Sequence, residues 1–176
     1  MLFFYFLTSL PDGLLRCING LQALFLYNNR LTSLPDGMLR GINGLQTLDL
    51  CSNRLTSLPD GMLGGINGLQ TLYLGNNSLT SLPGDIRHLS QLRQLYLKNN
   101  LLLSAPADLR HLTSLEHLDL RGNLFTTLPD DIRSCLTRLK DGKGNPDNID
   151  IPESDWGLYL GDAPPSTSHG LSREDL

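Results

Sequence analysis

The sequence predicts a solenoid of stacked repeats, an α/β architecture with a parallel β-sheet on a concave face and short helical or 3₁₀ turns on the convex side. Two segments, 21–44 and 45–68, are tandem copies of 24 residues, and copies of 23 residues follow at 69–91, 92–114 and 115–137. Each copy contains leucines that alternate with variable residues, which indicates a strand with one buried face. A unit this small buries its leucines only by stacking on its neighbours, so the strands must run parallel.

The alternation predicts which side chains form the core. In the second repeat, Leu48 and Leu50 face one side of a strand and Asp49 faces the other. Stacking places equivalent leucines of all five repeats in one apolar row. That row comprises Leu24, Leu48, Leu72, Leu95 and Leu118.

An asparagine recurs where the chain leaves each predicted strand. A buried amide at such a turn can satisfy backbone groups that have no partner in the sheet. We therefore interpret these asparagines as structural rather than as ligand contacts. They are Asn29, Asn53, Asn77, Asn100 and Asn123.

The return segment of each repeat begins with an extended piece. Leu-Pro pairs at 34–35, 58–59 and 82–83 fix this conformation, because proline restricts its own backbone and that of the preceding residue. Apolar residues at helical spacing follow, which predicts short helical or 3₁₀ turns on the convex side. These apolar pairs are Leu39/Ile42, Leu63/Ile66 and Ile86/Leu89.

The repeats occupy the middle of the chain. Residues 7–20 duplicate 31–44, so we assign 1–20 as a half repeat that caps the N-terminal end, with its strand predicted at Met1 to Leu2. After the repeats the period fails, and an irregular apolar set predicts a C-terminal cap over 138–162. The polar, Pro- and Ser-rich segment 163–176 is predicted to be a flexible tail.

The repeated pattern Leu-x-x-Leu-x-Leu-x-x-Asn resembles the leucine-rich-repeat signature. The string LTSLPDGM at 24-residue spacing resembles the extracellular repeats of the variable lymphocyte receptors of jawless fish, whose strands bind antigen through their solvent-facing positions. Those receptors carry cysteine-rich caps, which this chain lacks. Repeats three to five, with LPGDIRHL and LPDDIRSC, are more similar to intracellular leucine-rich scaffolds. The receptor resemblance implies a ligand-binding role for Phe25, Tyr27, Asp49, Tyr73, Tyr96, Glu116, His117 and Asp119.

Differences between the repeats indicate the same face. The first two repeats differ at only five positions, and four of these lie on or beside the solvent face of the strand, although many other surface positions were free to change. Drift after a recent duplication is the alternative explanation. The five differences are Ala23/Thr47, Phe25/Asp49, Tyr27/Cys51, Asn28/Ser52 and Arg40/Gly64.

The predicted ligand-binding face therefore combines aromatic and charged side chains, which suits protein or glycan recognition. Glu116 and His117 flank Asp119 and predict an acidic element at its C-terminal end. Leu101, Leu103 and Leu124 replace polar residues of other repeats and predict an exposed apolar strip. The complete predicted face comprises Phe25, Tyr27, Asp49, Cys51, Tyr73, Tyr96, Lys98, Glu116, His117, Asp119 and Arg121.

Composition excludes several classes of function. Residues 1–140 hold 12 Lys/Arg against 10 Asp/Glu, and no basic patch carries interleaved aromatics, so nucleic acid is not expected as a partner. We find no catalytic constellation, phosphate loop, metal-ligand spacing or cofactor motif. The three cysteines, Cys17, Cys51 and Cys135, fit neither a disulfide framework nor a zinc site. No apolar run reaches the roughly 20 residues of a transmembrane helix.

Two functional hypotheses follow for a monomeric, non-enzymatic binding protein. The preferred one is a secreted or cell-surface recognition receptor of the variable-lymphocyte-receptor kind, which binds a microbial surface protein or glycan in innate immunity. The alternative is a cytoplasmic adaptor that binds an endogenous signalling protein. The alternative draws on the three cysteines, which have no cap disulfides to form, and on residues 1–7, which lack the basic residue and cleavage site of a secretion signal.

Overall fold

The computed structural model describes residues 2–3, 6–15, 18, 20–124 and 149–150. Within these residues, short strands form one parallel sheet in chain order, so each strand pairs with the strand of the next repeat. This arrangement confirms the predicted repeat solenoid. The strands are β1 Leu2–Phe3, β2 Ala23–Phe25, β3 Thr47–Asp49, β4 Thr71–Tyr73, β5 Gln94–Tyr96, β6 His117–Asp119 and β7 Ile149–Asp150.

The core is a ladder of leucines behind the sheet. Leu24, Leu48 and Leu72 are register partners, and Leu95 and Leu118 continue the row. All five side chains are fully buried, whereas the residues on either side of them in the strands of the first four repeats are half-buried. Each such leucine contributes about 1.5–3 kcal/mol relative to an exposed side chain. The predicted alternation of core and solvent positions is confirmed.

Backbone hydrogen bonds between repeats continue past the ends of the strands. The amide of Leu26 donates to the carbonyl of Asp49 at 2.7 Å, and the amide of Asn28 donates to the carbonyl of Cys51 at 3.0 Å. Equivalent bonds recur in the following repeats up to Arg121. The solvent face of the sheet is therefore held by main-chain contacts, and its side chains are not needed to keep it in place.

The recurring asparagine joins each repeat to the preceding one. In Asn53, Nδ2 donates to the carbonyls of Leu26 at 2.8 Å and Leu50 at 3.1 Å, and Oδ1 accepts the amide of Leu31 at 3.1 Å. Asn77, Asn100 and Asn123 repeat this pattern. The structural interpretation of the asparagines is confirmed.

The residue before each asparagine adopts a left-handed conformation. Its φ lies between 54° and 66° in all five repeats, a region that asparagine and glycine enter more readily than other residues. The Asn28/Ser52 difference, which lies beside the solvent face of the strand, therefore falls at a turn under a backbone constraint. The residues at this position are Asn28, Ser52, Asn76, Asn99 and Gly122.

The convex side has two forms. In the third and fourth repeats, Pro83 and Pro106 precede the 3₁₀ helices η1 Gly84–His88 and η2 Ala107–His111, which confirms the predicted turns there. In the 24-residue repeats, successive turns replace the helix, and glycine at 37 and 61 takes positive φ. The apolar pairs predicted here are buried in both forms. In the part of the chain that the structure describes, no helix could span a lipid bilayer.

The first strand lies one residue further along the chain than expected. Leu2 pairs with Leu24, and Phe3 pairs with Phe25, instead of a strand at Met1 to Leu2. The amide of Arg30 nevertheless donates to the carbonyl of Leu7, as in the later repeats. The connection from strand to turn is therefore shorter here than in the full repeats, which sequence duplication alone did not indicate.

Several predictions lie outside the described residues. These are the second half of the fifth repeat from residue 125, the flexible tail at 163–176, and most of the C-terminal cap at 138–162. Within that cap, Ile149–Asp150 pairs with β6 as a further parallel strand. Cys17 and Cys135 also lie outside the described residues.

Replacing the buried asparagine of the second repeat should destabilise the whole domain. Asn53→Ala leaves the Leu26 and Leu50 carbonyls and the Leu31 amide without this partner, so we expect a loss of about 2–4 kcal/mol in the free energy of unfolding. Urea denaturation followed by circular dichroism measures this loss. Asn67→Ala, at an exposed turn of the same repeat, is the control, with an expected change within about 0.5 kcal/mol. Equal losses in the two variants would contradict the structural role.

Candidate ligand-binding face

Two columns of side chains run across the solvent face of the sheet. The last residue of each strand from β2 to β6 forms what we call the central column. It consists of Phe25, Asp49, Tyr73, Tyr96 and Asp119. The residues two positions further on form the flanking column, which consists of Tyr27, Cys51, Gly75, Lys98 and Arg121. Because the strands are parallel and in register, equivalent side chains lie about 4.8 Å apart. The sheet thus brings most of the predicted face together.

Three rings in the middle of the face form a continuous stack. The Tyr73 and Tyr96 rings have centroids 4.7 Å apart and planes at 14°. The His117 ring follows with its centroid 4.8 Å from that of Tyr96 at 39°. All three side chains are half-buried, so their edges remain accessible. This aromatic stack is a pre-ordered apolar platform with hydroxyl and imidazole groups at its rim.

A second pair of rings lies at the N-terminal end of the face. Phe25 and Tyr27 meet edge to face, with centroids 6.5 Å apart and planes at 86°. Both side chains are half-buried. Aromatic surface therefore lies on both sides of Asp49, which is the register partner of Phe25 on one strand and of Tyr73 on the other.

The acidic element predicted at the C-terminal end carries no excess negative charge. Asp119 is only 4% exposed, and its carboxylate accepts from Arg121 Nε at 3.0 Å and Nη2 at 2.8 Å. Glu116 accepts from Arg93 Nη2 at 2.6 Å. Each predicted carboxylate thus has an arginine partner. The carboxylates Asp119 and Glu116 are neutralised within the protein.

Asp49 occupies the same position as Asp119 but has different partners. Its Oδ1 accepts the amide of Cys51 at 2.9 Å, and no cation pairs with it among the described residues. Burial raises the pKa of the Asp49 carboxyl, an effect that the hydrogen bonds from Cys51 partly oppose. The two aspartates therefore differ in charge balance although they share a column.

Cys51 is a free thiol beside this carboxylate. Burial, followed by the charge of Asp49 and a hydrogen bond to it, raises the pKa of Cys51 to about 12. The thiol therefore stays protonated at neutral pH, and a protonated thiol is a poor nucleophile and metal ligand. Within the described residues, no three His, Cys, Asp or Glu side chains are grouped to hold a metal ion.

Two features of the face were not expected from the sequence. Gly75 is buried, and a β-carbon there would lie 3.3 Å from the Lys98 carbonyl and 3.5 Å from Cys51 Sγ, so a larger residue would press on both neighbouring strands. Arg93, one position before the strand, pairs with Glu116. The sequence does carry a signal for each feature. Gly75 is the only glycine in the flanking column, and Arg93 and Glu116 place opposite charges at equivalent positions of adjacent repeats.

The predicted apolar strip is exposed. Leu101, Leu103 and Leu124 are 44%, 60% and 51% exposed, on the segments where the chain leaves the fourth and fifth strands. Leu102, between the first two, is fully buried. The strip therefore lies beside the candidate binding face and outside the core.

Comparisons with known proteins agree with this geometry. Family models described as leucine-rich repeat match residues 43–102 and 114–135. The chain therefore has the leucine-rich-repeat fold. Among curated protein sequences, none matches it significantly.

Solved structures with the same fold include three that are informative. A leucine-rich-repeat protein of Leptospira interrogans is 33% identical with a TM-score of 0.59, over 74% of this chain and 38% of that one. A chain of the Drosophila Toll–Spatzle complex is 33% identical with a TM-score of 0.67, over 72% of this chain and 17% of that one. A chain of the plant peptide hormone receptor RGFR1 in complex with RGF2 is 28% identical with a TM-score of 0.58, over 71% of this chain and 20% of that one. This leucine-rich-repeat protein therefore spans less than half the length of these structures.

The thiol of this leucine-rich-repeat protein should resist alkylation. With a pKa of about 12, Cys51 should react with iodoacetamide at pH 8 roughly a hundredfold or more slower than an unperturbed cysteine. Asp49→Asn should lower that pKa and speed the reaction, because Asp49 raises it through charge and a hydrogen bond. Peptide-resolved mass spectrometry follows the modification of Cys51 alone. Asp119→Asn is the control, and an equal acceleration there would contradict the local effect.

The apolar strip can be made polar without loss of stability. Leu103→Thr, which restores the threonine found at this position in the first three repeats, should change the free energy of unfolding by less than about 0.5 kcal/mol and reduce dye binding and self-association. Leu102→Thr is the matched buried variant and should lose about 3 kcal/mol. Urea denaturation and light scattering measure the two effects. A large loss of stability in Leu103→Thr would show that its side chain belongs to the core.

Proposed function

We propose that this leucine-rich-repeat protein is a recognition receptor that binds a protein or glycan of a foreign cell surface on its concave face and catalyses no reaction. The observation that carries the proposal is the aromatic stack of Tyr73, Tyr96 and His117 on a sheet that main-chain hydrogen bonds hold in place. A secreted or cell-surface location is part of the proposal.

The aromatic stack supports binding because its rings are already ordered. Tyr73 and Tyr96 restrain each other before a ligand arrives, so little side-chain entropy remains to be lost on association. Tyrosine is also enriched among the residues that dominate binding energy at protein interfaces. A flat ligand segment laid across the face would contact ring edges and the tyrosine hydroxyls together.

The structural relatives support a macromolecular ligand in particular. The Drosophila structure is a complex of Toll with Spatzle, and the plant structure is the peptide hormone receptor RGFR1 in complex with RGF2. A foreign ligand is supported by the internal comparison of repeats, since the first two repeats differ at only five positions and four of these lie on or beside the solvent face of the strand. Phe25/Asp49 and Tyr27/Cys51 change there while the core leucines and the asparagines do not.

The chemistry of the face supports a role in binding rather than catalysis. The Cys51 thiol is held protonated, and the carboxylates of Asp119 and Glu116 are engaged by arginines. A nucleophile would require an adjacent base that lowers its pKa or removes its proton. Asp49 acts in the opposite direction, because its charge raises the pKa of Cys51.

A cytoplasmic adaptor for an endogenous signalling protein is the second candidate. The observation that favours it is the free thiol of Cys51 in the middle of the face, since free cysteines persist in reducing compartments. The adaptor would use the same columns, so the two candidates differ in ligand and compartment. A test that offers both kinds of ligand separates them.

Removing a ring from the aromatic stack should abolish most binding. We expect the labelled full chain to bind intact cells of some members of a bacterial panel, and Tyr96→Ala to weaken this binding by about thirtyfold, the effect of losing a central tyrosine contact. Flow cytometry over a concentration series gives the apparent affinity. Tyr73→Ala is a second variant of the same stack, and thermal unfolding checks that both variants remain folded.

Arg87→Ala is the control because Arg87 is exposed on η1, on the opposite side of the repeats. It should leave cell binding unchanged. Cell binding that survives Tyr96→Ala would contradict the assignment of the concave face. Absence of cell binding, together with Tyr96-dependent binding of a purified host protein, would overturn the receptor in favour of the adaptor.

A further inference from the structure

Two aspartates at equivalent positions provide an internal comparison on the concave face. Asp119 is neutralised by Arg121, which lies two residues further along the same repeat. In the second repeat the residue two positions beyond Asp49 is Cys51, which supplies an amide and a thiol but no positive charge. Asp49 and Asp119 thus occupy equivalent positions, but only Asp119 has a positively charged neighbour two residues later.

Asp49 lies between two aromatic residues, and we call the three positions Phe25, Asp49 and Tyr73 the notch. Phe25 and Tyr73 are its register partners on the two neighbouring strands, so a ring stands on each side of the carboxylate at the spacing of the sheet. The Tyr73 ring stacks on Tyr96 at nearly the strand spacing, which leaves its other face directed towards the second repeat. Asp49 is thus a short acidic side chain between two longer aromatic ones.

The notch carries an unbalanced negative charge. Asp49 is half-buried, and its pKa is raised chiefly by burial, which reflects the loss of water around the carboxylate. The cation of the flanking column nearest to Asp49 along the sheet is Lys98, which follows a strand two positions away from that of Asp49. Lys98 makes no ion pair with Asp49. A partly dehydrated carboxylate without a counter-ion is a position where an added cation gains the most.

We propose that Asp49, Phe25 and Tyr73 form a subsite that accepts one basic side chain of the ligand. This subsite rests on the proposed binding role of the concave face and specifies the chemistry of one ligand residue. The carboxylate of Asp49 binds the cation, and the rings of Phe25 and Tyr73 contact its flat or alkyl parts through cation–π and apolar contacts. Arginine fits best, because its planar guanidinium can stack on a ring and still donate to the carboxylate.

The notch is tested with a minimal probe in which only the charge changes. The acetylated, amidated tripeptides Gly-Arg-Gly and Gly-citrulline-Gly have side chains of nearly the same shape, but citrulline is neutral. Titrated into the ¹⁵N-labelled full chain, the arginine peptide should give saturable amide shifts centred on Asp49, Cys51 and Tyr73. The citrulline peptide should bind about tenfold more weakly or not at all.

Three variants make the test specific. Asp49→Asn keeps the acceptor for the Cys51 amide and removes the charge, so arginine-peptide binding should fall about tenfold. Cys51→Arg supplies the internal counter-ion that the fifth repeat has, and should abolish binding. Asp119→Asn is the matched control and should bind like the wild type, because its carboxylate is already neutralised and only 4% exposed.

Each outcome decides the proposal. Absence of saturable shifts with the arginine peptide, equal affinity for the citrulline peptide, or an equal loss in Asp119→Asn would overturn the notch. Cell binding that depends on Tyr96 but not on Asp49 would leave the proposed function in place and remove only this subsite. Arginine-peptide binding at Asp49 without any ligand that depends on Tyr96 would support the subsite and remove the receptor role.

Discussion

The rest of the structure depends on the hydrogen bonds of the recurring asparagine side chain. A chain that leaves a strand and turns behind the sheet exposes carbonyls that the next strand cannot pair. Asn53 closes this gap by donating to its own repeat at Leu50 and to the preceding one at Leu26 while accepting the Leu31 amide. One side chain therefore fixes both the turn and the register between repeats. The leucine ladder can then pack without leaving buried polar groups unpaired.

This division of roles explains why the concave face can vary. Register and stability reside in the asparagines, the leucines and main-chain bonds, none of which uses the side chains of the central and flanking columns. The same register imposes a spacing of about 4.8 Å between equivalent side chains of adjacent repeats, which matches the separation of stacked rings. The rings of Tyr73 and Tyr96, with centroids 4.7 Å apart, are stacked because equivalent positions of adjacent repeats both hold tyrosine.

The sequence predicted the parts of the structure that repeat and missed those that occur once. The leucine row and the asparagines carry the same signal in every repeat, so a single geometry had to satisfy all copies. The strand at Leu2–Phe3 departs from the period because its connection to Leu7 is shorter. Asp119 was expected to contribute acidity to the binding face, but the guanidinium of Arg121 balances its charge, and residue spacing does not specify the side-chain conformation of Arg121.

The pair of aspartates shows that the residue two positions later decides whether a carboxylate on this face presents an unbalanced charge. Both carboxylates accept the amide of that residue, from Cys51 at 2.9 Å and from Arg121 at 3.1 Å, so the local backbone is the same. What differs is whether the following side chain brings a positive charge. A single change in the flanking column can therefore convert a charged subsite into a neutral one while the leucines and asparagines stay untouched. Since those residues hold the fold, such a change alters recognition at little cost in stability, which is how a duplicated scaffold can acquire different ligands.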